Sequence, residues 1–180
     1  MKGQFFIIGA IFICVLLFFG ISPTIQITGS PSTDMEMIAE NLRKEFPPAL
    51  NIGINSSAPL MTLQNFTTFA KNRVLDRGVD LDVLHVVFIP SNGSTNVSVY
   101  NSMDVAKVIG VNVSGTHRDI EANLDTLNYS IFTVPVYGFN LTLNIDGDET
   151  YSFLLSNKTS IYSLISLERG DDVVRKELLA

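Results

Sequence analysis

The chain contains a single cysteine, Cys14, and only two histidines, His85 and His117, among its 180 residues. One thiol cannot close an intrachain disulfide, so a folded domain must be held together by its apolar core. No G-x-S-x-G, phosphate-binding loop or H-E-x-x-H pattern occurs, and no nucleophile stands in a pattern with a base. We therefore expect no catalytic residue, no cofactor and no metal site, and we interpret the protein as a non-enzyme.

Basic residues are also scarce. Lys and Arg total 12 against 18 Asp and Glu, which gives a formal net charge of −6 and a pI near 4.8. No run of basic residues interrupts this acidic balance. Because phosphate backbones and anionic headgroups attract positive charge, we do not expect nucleic acid or an anionic lipid surface as a partner.

His85 is the histidine whose spacing most resembles a metal site, because Asp80 and Asp82 precede it in a D-x-D-x-x-H pattern. Side chains alternate between the two faces of an extended strand. A strand through this stretch would therefore place His85 on the face opposite both aspartates. We interpret it as a polar histidine at a strand edge rather than as a ligand.

An uncharged run of 17 residues, from Phe5 to Ile21, opens the chain. As an α-helix it would be about 25 Å long, the lower end of what a bilayer crossing requires. Thirteen of the 17 are Phe, Ile, Leu or Val, a composition that favours insertion. A buried soluble helix is rarely apolar on every side, and Ile21-Ser22-Pro23 fits a secretory cleavage site poorly. Residues 1–21 are therefore predicted to be a membrane anchor that contacts the lipid bilayer through residues 5–21.

The few charges around this run predict its orientation. Lys2 and the terminal amine lie before it, and the next basic residue is Arg43. By the positive-inside rule, the N-terminus is cytoplasmic and the chain from about residue 22 onward is outside. We expect a single-pass protein of the cell membrane with an extracellular C-terminal domain.

The residues before the run, Lys2, Gly3 and Gln4, stand directly against the apolar stretch. This arrangement resembles the class III signal of archaeal type IV pilins and related surface proteins. The resemblance covers about 20 of the 180 residues. It implies an archaeal envelope, with a dedicated peptidase that cuts after Gly3 and leaves the hydrophobic helix attached.

Asparagine glycosylation acceptors of the pattern N-x-[ST] are more frequent than composition explains. With 14 Asn and 29 Ser plus Thr, random placement predicts about two of them. The chain has eight, all beyond the anchor: Asn55, Asn65, Asn92, Asn96, Asn112, Asn128, Asn140 and Asn157. This excess favours an exported, N-glycosylated protein.

Beyond the anchor, Pro, Gly and Ser mark residues 22–32 as a linker, and residues 33–180 supply enough chain for one extracytoplasmic domain. A capping-box spacing at Thr33–Glu36 predicts a first helix from about residue 34 to 46, ended by Pro47-Pro48. A second helix is predicted within residues 59–78, with an apolar face formed by Leu60, Leu63, Phe66, Phe69, Ala70 and Val74.

From residue 80 onward, short runs rich in Val, Ile, Thr, Tyr and Phe alternate with turn residues. They predict strands within 82–90, 94–100, 110–116, 128–138, 140–145, 149–156 and 161–168. Asp146-Gly147-Asp148 is a hairpin signal. Two short helices followed by closely spaced strands favour an α+β domain with an antiparallel, sandwich-like body.

These observations predict a membrane-anchored, glycosylated surface protein whose ectodomain has a structural or adhesive, non-catalytic role. Its expected partners are other envelope or pilus proteins. Two alternatives remain open at this point. The chain could be a pilin-like subunit, with the apolar helix packed in a filament core, or its ectodomain could bind a small solute in a pocket that the sequence does not reveal.

Overall fold

The computed structural model describes residues 31–133, 139–147, 149–155 and 158–180. Two helices come first, α1 (Pro31–Asn55) and α2 (Pro59–Leu75), and two antiparallel sheets follow. The predicted α+β class is therefore confirmed. The predicted anchor, residues 1–21, lies outside the described residues. Neither of the two described helices has the length and apolar character needed to span a bilayer.

The described residues form nine strands in two sheets. The five-stranded sheet has the order β5-β2-β1-β8-β9, and the four-stranded sheet has the order β4-β3-β6-β7. The strands are β1 (Asp80–Ser91), β2 (Ser94–Asn101), β3 (Lys107–Val113), β4 (Thr116–Ala122), β5 (Leu127–Thr133), β6 (Phe139–Ile145), β7 (Glu149–Leu155), β8 (Ser160–Arg169) and β9 (Asp172–Leu179).

Two apolar cores divide the molecule into three layers. The sandwich core lies between the two sheets, and Phe88, Val111 and Leu141 are among its buried members. The helix core lies between the helices and the other face of the five-stranded sheet, with Phe46 and Val87 among its members. Strand β1 contributes to both cores, which explains why its sequence is apolar at nearly every position rather than at alternate ones.

Helix α1 is longer than its sequence predicts. The prediction that Pro47-Pro48 ends it near residue 46 is wrong, because the helix continues to Asn55 with both prolines inside it. Together, Pro47 and Pro48 remove two helical N–H donors, and each proline disfavours the helical conformation of the residue before it. Ala49 and Leu50, which follow the prolines, are buried, and Leu50 belongs to the helix core. We attribute the continued helix to this packing.

Helix α2 follows its predicted extent closely, and Gly78 adopts a φ of 68° just beyond its end, as expected for a stop signal. Its buried face consists of Leu63, Thr67, Ala70 and Val74. Phe69 was predicted to lie on this face, and that prediction is wrong because its side chain is 58% exposed. Thr67 takes the buried position instead, where its hydroxyl bonds the Leu63 carbonyl oxygen at 2.9 Å.

One predicted strand is in fact a hairpin. The stretch 110–116 contains the end of β3, a turn at Ser114 and Gly115 with φ of 48° and 91°, and the first residue of β4. Strand β4 was not predicted, because it is a largely exposed edge strand whose first four residues are polar. The predicted hairpin turn at Asp146-Gly147 joins β6 to β7, and Gly147 has the expected positive φ. Asp146 has a positive φ as well, which was not predicted.

Candidate functional site

The seven described glycosylation acceptors all lie at the surface. Four are exposed and three are half-buried, and Asn157 lies outside the described residues. The exposed acceptors are Asn55, Asn65, Asn92 and Asn140, and the half-buried ones are Asn96, Asn112 and Asn128. All three half-buried side chains make local hydrogen bonds. Asn96 Oδ1 accepts from Ser98 Oγ at 3.5 Å, Asn112 Oδ1 accepts from Gly115 N at 3.0 Å, and Asn128 Nδ2 donates to Thr126 Oγ1 at 3.1 Å. The processing candidates Lys2, Gly3 and Gln4 lie outside the described part of the chain.

Helix α1, the first element of the domain, begins beside one end of the five-stranded sheet, and we call this the proximal end. Arg169, at the end of β8, binds Asp34 in the first turn of α1 with an N–O distance of 3.3 Å. Asp80, the first residue of β1, pairs with Glu168 at the same end. Since β1 runs 12 residues away from this point, its last residue, Ser91, lies about 36 Å off, at the distal end.

The acceptors are distributed unequally between these ends. Asn92 lies in the distal β1–β2 turn, and Asn96 lies close to this turn, where it pairs with Ile89. Asn55 is the last residue of α1, so it lies at the end of the helix away from the proximal end. Asp146 and Glu168 line one cavity, so Asp146 is at the proximal end. Asn112 and Asn140 lie near the opposite ends of β3 and β6. Five of the seven described acceptors are therefore distal. Asn65 and Asn128 lie near the middle.

His85 is fully buried in the helix core, not at a strand edge, and the prediction of a strand-edge histidine is wrong. It lies on the face of β1 opposite that of Asp82, as alternation predicts. Its Nδ1 is 2.7 Å from Ser163 Oγ and its Nε2 is 2.9 Å from Thr67 Oγ1. Because the Thr67 hydroxyl already donates to Leu63, the Thr67 oxygen accepts from Nε2–H, and Nδ1 accepts from the Ser163 hydroxyl.

The environment of His85 favours its neutral form. Phe46 contacts the ring edge-on at a centroid distance of 4.5 Å, and Tyr100 stacks at 6.3 Å. Burial lowers the pKa of His85 from 6.5 to about 3. With both ring nitrogens engaged and no exposed surface, His85 joins helix α2 to strands β1 and β8 and has a structural role.

His117 is exposed on the outer face of the four-stranded sheet, with Nε2 3.1 Å from Asp119 Oδ1. The pair lies above Gly110, where a Cβ atom would come within 3.1 Å of the His117 ring. Among the residues that the structure describes, no three His, Cys, Asp or Glu side chains come together as a metal site. We assign this pair no ligand.

A cavity of about 330 Å³ opens at the proximal end of the sandwich. One wall comes from β1, β8 and β9 of the five-stranded sheet, and the other comes from β3 and β6 of the four-stranded sheet. The β2–β3 connection closes one side through Met103 and Val105. Asn101 holds this connection in place, since its Nδ2 donates to Val105 O at 2.9 Å and its Oδ1 accepts from Met103 N at 2.9 Å.

Three lining residues form one row across the sheet. Asp82 on β1 is the register partner of Ser166 on β8, and Ser166 is the partner of Arg175 on β9. Directly opposite side chains on one face have Cβ atoms about 4.5–5.5 Å apart. Ser166 is only 6% exposed, and its Oγ has no hydrogen-bond partner in the described chain. The row therefore places an unsatisfied hydroxyl between a carboxylate and a guanidinium.

The two sides of the row differ in charge. Burial first, and nearby Asp104 second, raise the pKa of the Asp82 carboxyl, although Lys71 Nζ lies 3.6 Å from it. Glu168 adds a further negative charge to this side. On the opposite side, the Arg175 guanidinium makes no ion pair with any residue that the structure describes.

The rim of the cavity is a satisfied ion pair. Lys107 Nζ lies 2.6 Å from Asp146 Oδ2, and Val108 N–H donates to Asp146 Oδ1 at 2.9 Å. Burial alone would raise the pKa of Asp146, but these two contacts outweigh it and lower the pKa below its ordinary value. This pair joins the start of β3 to the turn that follows β6.

Sequence reasoning did not find this cavity. On the face of β8 that packs into the sandwich, the apolar residues Tyr162 and Leu164 are followed by the polar residues Ser166 and Glu168. This change from apolar to polar along one face was the available sequence signal for the cavity.

Comparison of the chain with protein-family models, with curated proteins and with solved structures gives no match in any of the three.

Proposed function

We propose that this protein is a membrane-anchored, N-glycosylated surface protein whose ectodomain has a structural or adhesive role toward other envelope components. The observation that carries the proposal is the position of the acceptors relative to the chain entry. The segment that contains the apolar run joins the domain at its proximal end, whereas five acceptors lie toward the distal end. A tethered domain with this arrangement presents its glycans away from the bilayer.

The packing of the domain also supports a passive role. The predicted compartment oxidises thiols, yet the only cysteine precedes the domain, so two separate apolar cores replace disulfides as the source of stability. The buried histidine is engaged by Thr67 and Ser163 and is out of reach of any substrate.

Membrane fractionation of the full chain tests the anchor. The wild type is expected to sediment with membranes and to be released by detergent but not by salt. A Leu16→Arg, Leu17→Arg double variant is expected in the soluble fraction, because each arginine at the centre of a span costs about 2.5–3.5 kcal/mol. Leu154→Arg is the matched control: this residue is 76% exposed on β7, and the variant should remain with the membranes.

Two outcomes of the fractionation would contradict the proposal. Wild-type protein in the soluble fraction would contradict the predicted membrane anchor. Recovery of the protein in fibres sheared from cells would instead identify a filament subunit, the pilin-like alternative.

A further inference from the structure

The unsatisfied Ser166 hydroxyl is the feature of the proximal cavity that needs an explanation. Buried polar groups in folded proteins almost always have a hydrogen-bond partner, and an orphaned one destabilises the fold. Ser166 lines a cavity of about 330 Å³, and no described residue satisfies its Oγ. A bound molecule with a polar group at this position would supply the missing partner.

The charges around Ser166 specify what such a molecule must carry. Lys71 is the one cation near Asp82, at 3.6 Å, and it also lies 4.0 Å from Asp104, so Asp82, Asp104 and Glu168 leave this side with an excess of negative charge. Arg175, which makes no ion pair with a described residue, offers positive charge on the other side. A guanidinium is well suited to bind a carboxylate through two hydrogen bonds. The row across β1, β8 and β9 thus matches a ligand with an ammonium at one point and a carboxylate a few ångströms away.

The remaining lining is apolar and limits the size of the ligand. Met103, Ile145 and Leu164 contribute side chains to the wall. A volume of about 330 Å³ is at the small end of the range for ligand pockets. The described residues hold no group of three possible ligands for a metal ion, which leaves a small organic molecule as the better fit.

We propose that the proximal cavity binds a free α-amino acid with an aliphatic side chain. The ammonium faces Asp82, the carboxylate faces Arg175, the Ser166 hydroxyl bonds the polar group between them, and the aliphatic side chain packs on Met103, Ile145 and Leu164. This site does not depend on the anchor or on glycosylation, and it gives the ectodomain a binding activity in addition to its proposed structural role.

Calorimetric titration of the full chain in a non-ionic detergent with L-leucine tests the proposal. Saturable binding is expected with a dissociation constant of about 1 mM or below, as befits a ligand of this size. Isopentylamine keeps only the ammonium and 4-methylpentanoate keeps only the carboxylate, so each is expected to bind at least about tenfold more weakly. Absence of leucine binding, or equal binding of either half-molecule, would overturn the proposal.

Variants then assign the roles within the row. Arg175 is exposed, so Arg175→Gln should fold normally and should weaken leucine binding about tenfold while leaving isopentylamine binding unchanged. Asp82→Asn should weaken the binding of both leucine and the amine. If Arg175→Gln weakened the amine as strongly as it weakened leucine, the assigned orientation would be wrong.

Ser166→Ala has a second readout that separates ligand binding from structure. Because the hydroxyl has no hydrogen-bond partner among the described residues, its removal should maintain or raise the melting temperature while it weakens leucine binding. Ser163→Ala is the control on the opposite face of the same strand: it should lower the melting temperature by removing the His85 contact and leave leucine binding unchanged. A Ser166→Ala variant that melts as low as Ser163→Ala, or that binds leucine as tightly as wild type, would contradict the proposal.

Discussion

His85 Nδ1 lies 2.7 Å from Ser163 Oγ, and the two residues are register partners on the central strands β1 and β8. The same ring bonds Thr67 of α2 through Nε2. One neutral side chain therefore links the helix layer to two strands of the five-stranded sheet. Neutrality is part of this arrangement, because a protonated ring would be buried without a counter-charge in contact.

This arrangement predicts a pH-dependent stability. The pKa of His85 is about 3 in the folded protein and about 6.5 in the unfolded chain, so the unfolded state takes up the proton first as the pH falls. The contribution of His85 to the free energy of unfolding is complete above pH 6.5 and is lost progressively from pH 6.5 towards 3. Through His85, the free energy of unfolding changes by at most about 1.4 kcal/mol per pH unit. Urea unfolding across this range measures it.

His85→Phe separates the contribution of His85 to the pH dependence of stability from that of the acidic residues. The free energy of unfolding of the variant should be about 1–3 kcal/mol lower at pH 7, because Ser163 loses its acceptor. On acidification, its stability should then fall less steeply than that of the wild type. His117→Asn, at an exposed site, is the control and should keep the wild-type profile. A His85→Phe profile parallel to that of the wild type would refute the role of this histidine.

Asn101 is the second polar residue on which the fold depends. It is fully buried, and its side chain bonds the backbone of Met103, Val105 and Ala122. Asn101→Ala leaves these groups without a partner and should cost about 2–4 kcal/mol in chemical unfolding. Asn123→Ala, at an exposed position, should change stability by less than about 0.5 kcal/mol. Equal effects of the two variants would show that the β2–β3 connection does not need this support.

Gly53 gives a prediction in which helix propensity and packing oppose each other. Alanine at an open helix position is favoured over glycine by about 1 kcal/mol. A Cβ on Gly53, however, would lie 2.6 Å from Pro59 Cα, an atom of the backbone. Gly53→Ala should therefore destabilise the domain by about 1–3 kcal/mol in thermal or urea unfolding.

Asn51→Ala, on the exposed side of the same helix, is the control and should be neutral or slightly stabilising. A stabilising Gly53→Ala would mean that α1 and α2 do not approach as closely as the structure indicates.

The sequence predicts the element types well, because each leaves a local signature. The three- and four-residue spacing of Met35, Ile38 and Leu42 marks the buried face of α1, and all three residues are buried. The positive φ of Gly147 follows directly from its residue type. Such features depend on neighbours in the chain and need no knowledge of the tertiary structure.

The errors arise where distant residues decide the outcome. Pro47 and Pro48 lie within a helix whose following turn is buried, and no local rule predicts that burial. His85 is in a strand that helices cover, so its burial depends on α2, which lies before it in the chain. The row of Asp82, Ser166 and Arg175 depends on the order in which three strands pair, and one sequence does not contain that order.

The intact mass of the protein purified from its native membranes, before and after deglycosylation, tests the central claim most directly. The account predicts a mass that includes the apolar run of residues 5–21 and that falls on deglycosylation, with loss of residues 1–3 if the class III-like signal is processed. A mass that begins near residue 22 would show that the run is a removable signal and would contradict the anchor. A mass unchanged by deglycosylation would contradict the glycosylated surface domain.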